Sequence, residues 1–235
     1  MPELPRLEPG LTMLEADTKG ALQSLVIDHL CGCGIESEAQ RGAGRNRNRG
    51  RPSALWIDSR DIATTGDLAR LAPSPRILHR IDVARAFTPY QHYRLVDSLA
   101  DELEARADTT VELVVVPEID WFYGADDLHG GAGLELLTAS LDRLEGVASR
   151  FDLSVLLTRS RGAPFRGVLE SSVETTIACQ QTRFGPRFTG DDFETLVYPT
   201  VGGVQTTLAF WQEVLQVRHH TQPALHTEVI AHGTN

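Results

Sequence analysis

Residues 11–30, LTMLEADTKGALQSLVIDHL, limit the fold more than any other stretch. A short apolar run, residues 11–14, passes through a polar turn containing Gly20 into a segment whose Leu22, Leu25, Val26 and Leu30 share one helical face. Strand, turn and helix in that order form the frame in which a helix N-terminus can hold phosphate. The turn nevertheless lacks the glycines and the lysine with which such a frame works.

The same alternation continues along the chain. Residues 54–58 (ALWID) are an apolar run closed by an acid, as in a buried parallel strand whose carboxyl end opens on a site. A short helix is expected over 61–71, stopped by Pro73 and Pro75, and a strand over 77–85. Thr88 and Pro89 open a further helix, with Tyr93, Val96, Leu99, Ala100 and Leu103 on one stripe. Residues 111–116 (VELVVV) read as a strand that ends at Pro117, because proline has no N–H to give a central ladder. Leu134, Leu137, Leu141, Leu144 and Val147 line a long helix that leads into a strand at 153–158. Residues 173–184 and 193–198 suit an antiparallel pair joined through Gly185-Pro186 and Gly190, and Leu208, Trp211, Val214 and Leu215 suggest a last helix. The first helix should end near Gly32 and Gly34, which suit a left-handed cap. Residues 41–52, 121–133 and 159–172 read as loops.

Alternating strands and helices followed by an antiparallel pair imply an α/β fold, a mostly parallel central sheet with helices on both faces. No interior linker divides the 235 residues, so one domain is expected over 1–218, with a frayed tail at 219–235. In such a sheet the carboxyl ends of the strands gather the site. That rim holds Asp58, the corner at 117–120 and Arg159.

Composition narrows the chemistry. The net charge is −10, and Lys19 is the only lysine, so nearly all the positive charge is arginine. An acidic, lysine-poor surface resembles that of proteins adapted to high salt and repels nucleic acid over most of its area. A nucleic-acid site must then be a local basic island. Residues 41–52 (RGAGRNRNRGRP) form one such island, with Arg41, Arg45, Arg47, Arg49 and Arg51 and no acid. Cys31, Cys33 and Cys179 are too few for a disulfide framework, and the eight histidines make no H-x-x-x-H pair. With no secretory leader pattern and no apolar run of spanning length, the chain is expected to be cytoplasmic and to carry no cofactor.

With this order of elements, the chain resembles the ATPase core of the RecA/RadA recombinase family over about residues 11–158. The resemblance rests on ALWIDSR (54–60), IDVARAFTPYQHYRLVDSL (81–99), VELVVVPEID (111–120) and the helix-then-VLLT form of 134–158. The segment from Ile81 is similar to the archaeal recombinase stretch joining a core strand to the next helix. A RecA-like phosphate-loop NTPase fold is what this implies.

Residues that would perform the family's chemistry are replaced. A phosphate loop needs glycine first, glycine sixth, then lysine and a hydroxyl, so that amides wrap the phosphates, the lysine neutralises them and the hydroxyl holds magnesium. Here Glu15 takes the first glycine, Gly20 the second, Ala21 the lysine and Leu22 the hydroxyl, with Lys19 two positions early. The strand that should end in a magnesium-orienting aspartate ends in Pro117. The general base falls on Arg60, and the polar sensor falls among Arg159, Ser160 and Arg161. The resemblance therefore implies an abandoned ATPase site.

What remains is binding. Arg159, Arg161 and Arg166, with Phe165, lie on the loop that faces DNA in the resembled family, and 121–133 matches its other DNA-facing loop. Arginines on such a loop neutralise phosphates without reading sequence, and an aromatic ring can stack on a base. The expectation is a catalytically inactive paralogue, an accessory factor in DNA recombination or repair that binds single-stranded DNA, a RadA-like recombinase or a copy of itself. Two alternatives stand beside it. One is a protein-interaction or regulatory module without nucleic-acid binding. The other is a metal-dependent hydrolase in which Asp58, Glu118 and Asp120 converge as ligands.

Overall fold

The structure is a computed structural model that describes residues 4–16, 20–39, 52–106, 110–124, 128, 131–162, 164–183, 185–191, 193–200 and 203–206, with backbone alone for 32–39, 197–200 and 203–206. The chain opens with β1 (Gly10–Ala16) and α1 (Ala21–Ala39), then β2 (Ser53–Asp58), α2 (Thr65–Leu71), α3 (Pro75–Leu78) and β3 (Ile81–Arg85). It continues with α4 (Pro89–Asp97), α5 (Leu99–Ala105), β4 (Val111–Val116), α6 (Ala132–Phe151), β5 (Ser154–Leu157) and α7 (Arg166–Ser172). Four strands follow, β6 (Thr175–Thr182), β7 (Gly185–Thr189), β8 (Glu194–Thr200) and β9 (Gly203–Thr206).

The strands lie in the order β3-β2-β4-β5-β1-β6-β7-β8-β9. Pairing is parallel from β3 through β6 and antiparallel from β6 through β9. Side chains alternate across each strand and so fill two separate cores. Leu14, Ala54, Trp56, Leu113, Val115 and Leu156 pack on one face against α1, α2 and α3. Leu11, Met13, Leu55, Ile57, Val114, Val116, Val155 and Leu157 pack on the other against α4, α5, α6 and α7. Because both faces are covered, β2, β4 and β5 read as unbroken apolar runs rather than alternating ones. Each fully buried Leu, Val or Ile contributes about 1.5–3 kcal/mol. Arg80 ties three elements together, donating from Nη2 to the Leu30 carbonyl at 2.8 Å and from Nε to the Pro52 carbonyl.

An α/β fold with a mostly parallel, doubly covered sheet is thus present, and several expected boundaries move. Helix α1 runs through Gly32 and Gly34 to Ala39 rather than ending at them; isolated glycines cost about 1 kcal/mol each inside a helix without forbidding it. Helix α2 starts at Thr65, not 61, because the Asp58 carboxylate takes the N–H groups of Ile62 and Ala63, and Thr64 is the cap. Residues 77–80 are not strand. Ser74 caps the short helix α3 and Pro75 sits in its first turn, so β3 begins only at Ile81. The loop expected over 159–172 ends in α7, which buries Leu169 alone. The late antiparallel pairing is present, and the stretch read as its connection is itself β7, lying between β6 and β8. The helix expected at 208–215 and the tail at 219–235 lie outside the described residues.

Helix α6 begins after Gly131, whose φ of 86° suits glycine. Two residues on, Gly133 lies so close to the Tyr123 carbonyl that a Cβ would fall on its oxygen, a backbone atom that cannot swing aside. Gly133→Ala is expected to destabilise by about 3 kcal/mol, at the upper end of overpacking. Gly146→Ala, in the same helix but facing open space, is expected to stabilise by about 0.5–1 kcal/mol. Urea midpoints for the two variants should move in opposite directions, and midpoints moving together would refute the contact.

Candidate functional site at the carboxyl rim of the sheet

Strands β1 and β5 are parallel neighbours, paired from Gly10 and Ser154 to Met13 and Leu157. The connection from β1 crosses to β2 over the face covered by α1, and the connection from β5 crosses to β6 over the face covered by α7. Two neighbouring strands whose connections leave on opposite faces open a crevice at their carboxyl ends, the usual ligand position in such sheets. Here the crevice carries an ion pair. Glu15, near the end of β1, accepts from Arg159 Nε, just beyond β5, at 2.9 Å, with the two side chains 32% and 26% exposed. Arg166, at the start of α7, pairs with Glu170. It is held more firmly protonated by Glu170 first and by Glu15 next.

The other positions expected to match a phosphate loop serve the fold. Gly20 has a φ of 105°, conformationally a turn glycine. Ala21 and Leu22 are buried and belong to the core beneath α1. Leu22, at the position where the resemblance leads one to expect a magnesium-binding hydroxyl, thus spends its side chain on packing. Lys19 lies outside the described residues.

Asp58, Glu118 and Asp120 share the rim but have separate partners. Asp58 is 1% exposed and accepts from the N–H groups of Ile62 at 3.0 Å, Ala63 at 3.2 Å and Arg60 at 3.5 Å, with Arg85 Nε 3.7 Å away. Its charge holds the loop to α2. Glu118 pairs with Arg60 at 2.7 Å, and its own backbone sits in the left-handed region at a φ of 45°. Asp120 is buried and accepts from the Ser160 N–H at 2.7 Å. Burial raises its pKa, and the Ser160 hydrogen bonds offset this only in part. Among the described residues no group of three or more His, Cys, Asp or Glu is placed to hold a metal ion. The convergence required by the hydrolase alternative is not formed.

The residues expected to face DNA divide similarly. Arg159 and Arg166 are paired with acids, Arg161 is exposed, and Phe165 is half-buried against the core beneath α7, so its ring is used for packing. Arg41, Arg45, Arg47, Arg49 and Arg51 lie outside the described residues.

Two arrangements have no counterpart in the sequence reading. The Arg60 guanidinium lies over the exposed Trp121 ring, 3.9 Å from its centroid, joining the ends of β2 and β4. Deeper, His92 of α4, Tyr123 and Ser140 of α6 form a buried chain, with His92 Nδ1 2.7 Å from Tyr123 Oη and Tyr123 Oη 2.8 Å from Ser140 Oγ. Ser140 donates its one proton to the Leu136 carbonyl at 2.8 Å. It must therefore accept from Tyr123, which in turn accepts from His92 Nδ1–H. Nε2 is left as a buried acceptor without a hydrogen-bond partner among the described residues. Burial pushes His92 down to about 4 and Tyr123 up to about 12, so both are neutral near pH 7. One signal was available: His92 precedes Val96 and Leu99 at helical spacing, on the buried stripe of α4 and α5. Among the described residues no helix is long and apolar enough to cross a membrane. Compared with models of known protein families and with curated proteins, the chain matches none.

Proposed function

We propose that this chain is a catalytically silent RecA/RadA-like protein that acts by binding, as an accessory factor in DNA recombination or repair that engages a recombinase-type partner. The observation that carries this reading is the Glu15–Arg159 pair in the crevice between β1 and β5. A carboxylate with its own arginine stands where a nucleotide phosphate would lie, and Leu22 offers magnesium no oxygen. Of the arginines expected to meet DNA, Arg159 and Arg166 already have acidic partners, which favours the protein partner over single-stranded DNA for the unaltered chain. A surface suited to a protein lies at the outer edge of the sheet. Val83 on the edge strand β3 is 41% exposed, and Phe87 and Tyr90 just beyond it are 76% and 63% exposed. An edge strand with apolar side chains beside it invites pairing with another chain.

The test uses purified protein. Calorimetry with magnesium-ATP should show no uptake, and a RadA-type recombinase should be retained on the immobilised chain. Phe87→Asp with Tyr90→Asp should weaken that retention by about tenfold or more, as expected for aromatic anchors worth 2 kcal/mol or more. Steady ATP turnover by the pure chain would end the silent reading, and absence of recombinase binding would end the partner.

A further inference from the structure

We propose that the rim between β1 and β5 is a phosphate site held shut by its own chain, with the Glu15 carboxylate standing in for a phosphate oxygen before Arg159. This rests on the silent-core reading and deepens it by naming what closes the site. Arg159 lies just beyond β5, and the carboxylate comes from the neighbouring strand β1. Arg159 donates to Glu15 directly at 2.9 Å, while Arg166 is paired with Glu170. The other rim acids do not compete for this position, since Glu118 is held by Arg60 and Asp120 by the Ser160 N–H.

A carboxylate and a phosphate satisfy a guanidinium through the same charge-assisted N–H···O geometry. A tethered carboxylate also acts at an effective concentration of roughly millimolar or above, so dilute external phosphate is displaced from the start. The pair is only about a quarter to a third exposed, which keeps it less screened than a surface pair while leaving it within reach of solvent. Strand β1 does not depend on the Glu15 charge for its place, because Leu11, Met13 and Leu14 fill the two cores. Neutralising Glu15 should therefore open the site without unfolding the sheet.

The probes are inorganic tripolyphosphate, followed by calorimetry, and fluorescent oligothymidylates of increasing length, followed by anisotropy, both at low and moderate salt. Glu15→Gln should bind tripolyphosphate about tenfold or more tightly than the unaltered chain, the gain expected of a charge-assisted contact. That gain should shrink with added salt and vanish when Arg159→Ala is combined with it. A gain confined to tripolyphosphate identifies a small polyphosphate as the ligand class, and a gain that grows with strand length identifies a polynucleotide backbone. Either supports a closed phosphate site. Glu15→Thr, which suits a strand, replaces the glutamine variant if that one is unstable. A folded Glu15 variant that binds no more tightly, or a gain that survives Arg159→Ala, overturns the proposal while leaving the silent core standing. Tight triphosphate binding by the unaltered chain would instead overturn the silent core itself.

Discussion

Asp58→Ala should cost about 4 kcal/mol of folding stability, within the range for breaking a buried charge away from its partners. The carboxylate is almost completely buried, and it accepts from three backbone N–H groups of the loop that joins β2 to α2. Truncation removes the acceptor and leaves the Ile62 and Ala63 donors unsatisfied, each costing about 1–3 kcal/mol. It also deprives the nearby Arg85 of one acid, leaving the exposed Asp61 as its partner among the described residues. Asp58→Asn keeps one oxygen but turns an amide toward backbone donors, so about half the loss is expected. Chemical unfolding of the three proteins gives the answer directly. If the alanine variant unfolds at the midpoint of the unaltered chain, the loop is not held by this carboxylate. Magnesium or a chelator should leave all three midpoints in place, since Asp58 is committed to the loop; a metal-dependent midpoint lost in Asp58→Asn would return the residue to the hydrolase alternative.

Acidification from pH 7 to pH 4 should remove about 3 kcal/mol of stability through His92 alone, by the free-energy value of a shift from 6.5 to about 4. The sign follows from which form is held. Burial favours the neutral ring in the folded protein, so its folded pKa lies below its unfolded one and the unfolded chain takes up the proton first. Stability is complete above about pH 6.5 and declines as the pH falls toward the folded value. His29 adds a decline of the same sign, lowered to about 4 by burial first and by Arg80 next. Asp120 acts in the opposite direction, because its pKa is raised by burial and acid relieves the cost of keeping it charged. His92→Phe removes the titrating ring while leaving the Tyr123-to-Ser140 hydrogen bond in place. Its stability should fall less steeply between pH 6.5 and pH 4, by about 1.4 kcal/mol per pH unit at the steepest point. Parallel stability-against-pH curves for the variant and the unaltered chain would remove His92 from this account.

Much of the architecture was legible because burial on both faces writes strands as plain apolar runs. VELVVV and SVLL are buried along most or all of their length, and Thr88 with Pro89 marks the start of α4 through cap chemistry that is local by nature. Short elements were harder. Helix α7 buries one leucine in seven residues, too few for a period to emerge, and β7 carries Gly185 and Pro186, which read as a turn. The rim was legible as a place but not as a set of contacts. Glu15 could be recognised as wrong for a phosphate, yet its partner lies 144 residues away, and no local pattern links the two. Likewise, Asp58 looked like a member of an acidic group until the loop beyond it supplied N–H donors for both its oxygens.

The place of β1 in the sheet has a consequence for how the chain folds. It precedes every other strand of this sheet in sequence, yet its neighbours are β5, entered at Ser154, and β6, entered at Thr175. Until those arrive, β1 has no ladder on either side, whereas β2, β3 and β4 can pair among themselves. Contacts so distant in sequence slow folding and prolong the exposure of apolar strand. Synthesis should therefore produce a β2–β3–β4 nucleus first, with β1 waiting until β5 and β6 close around it.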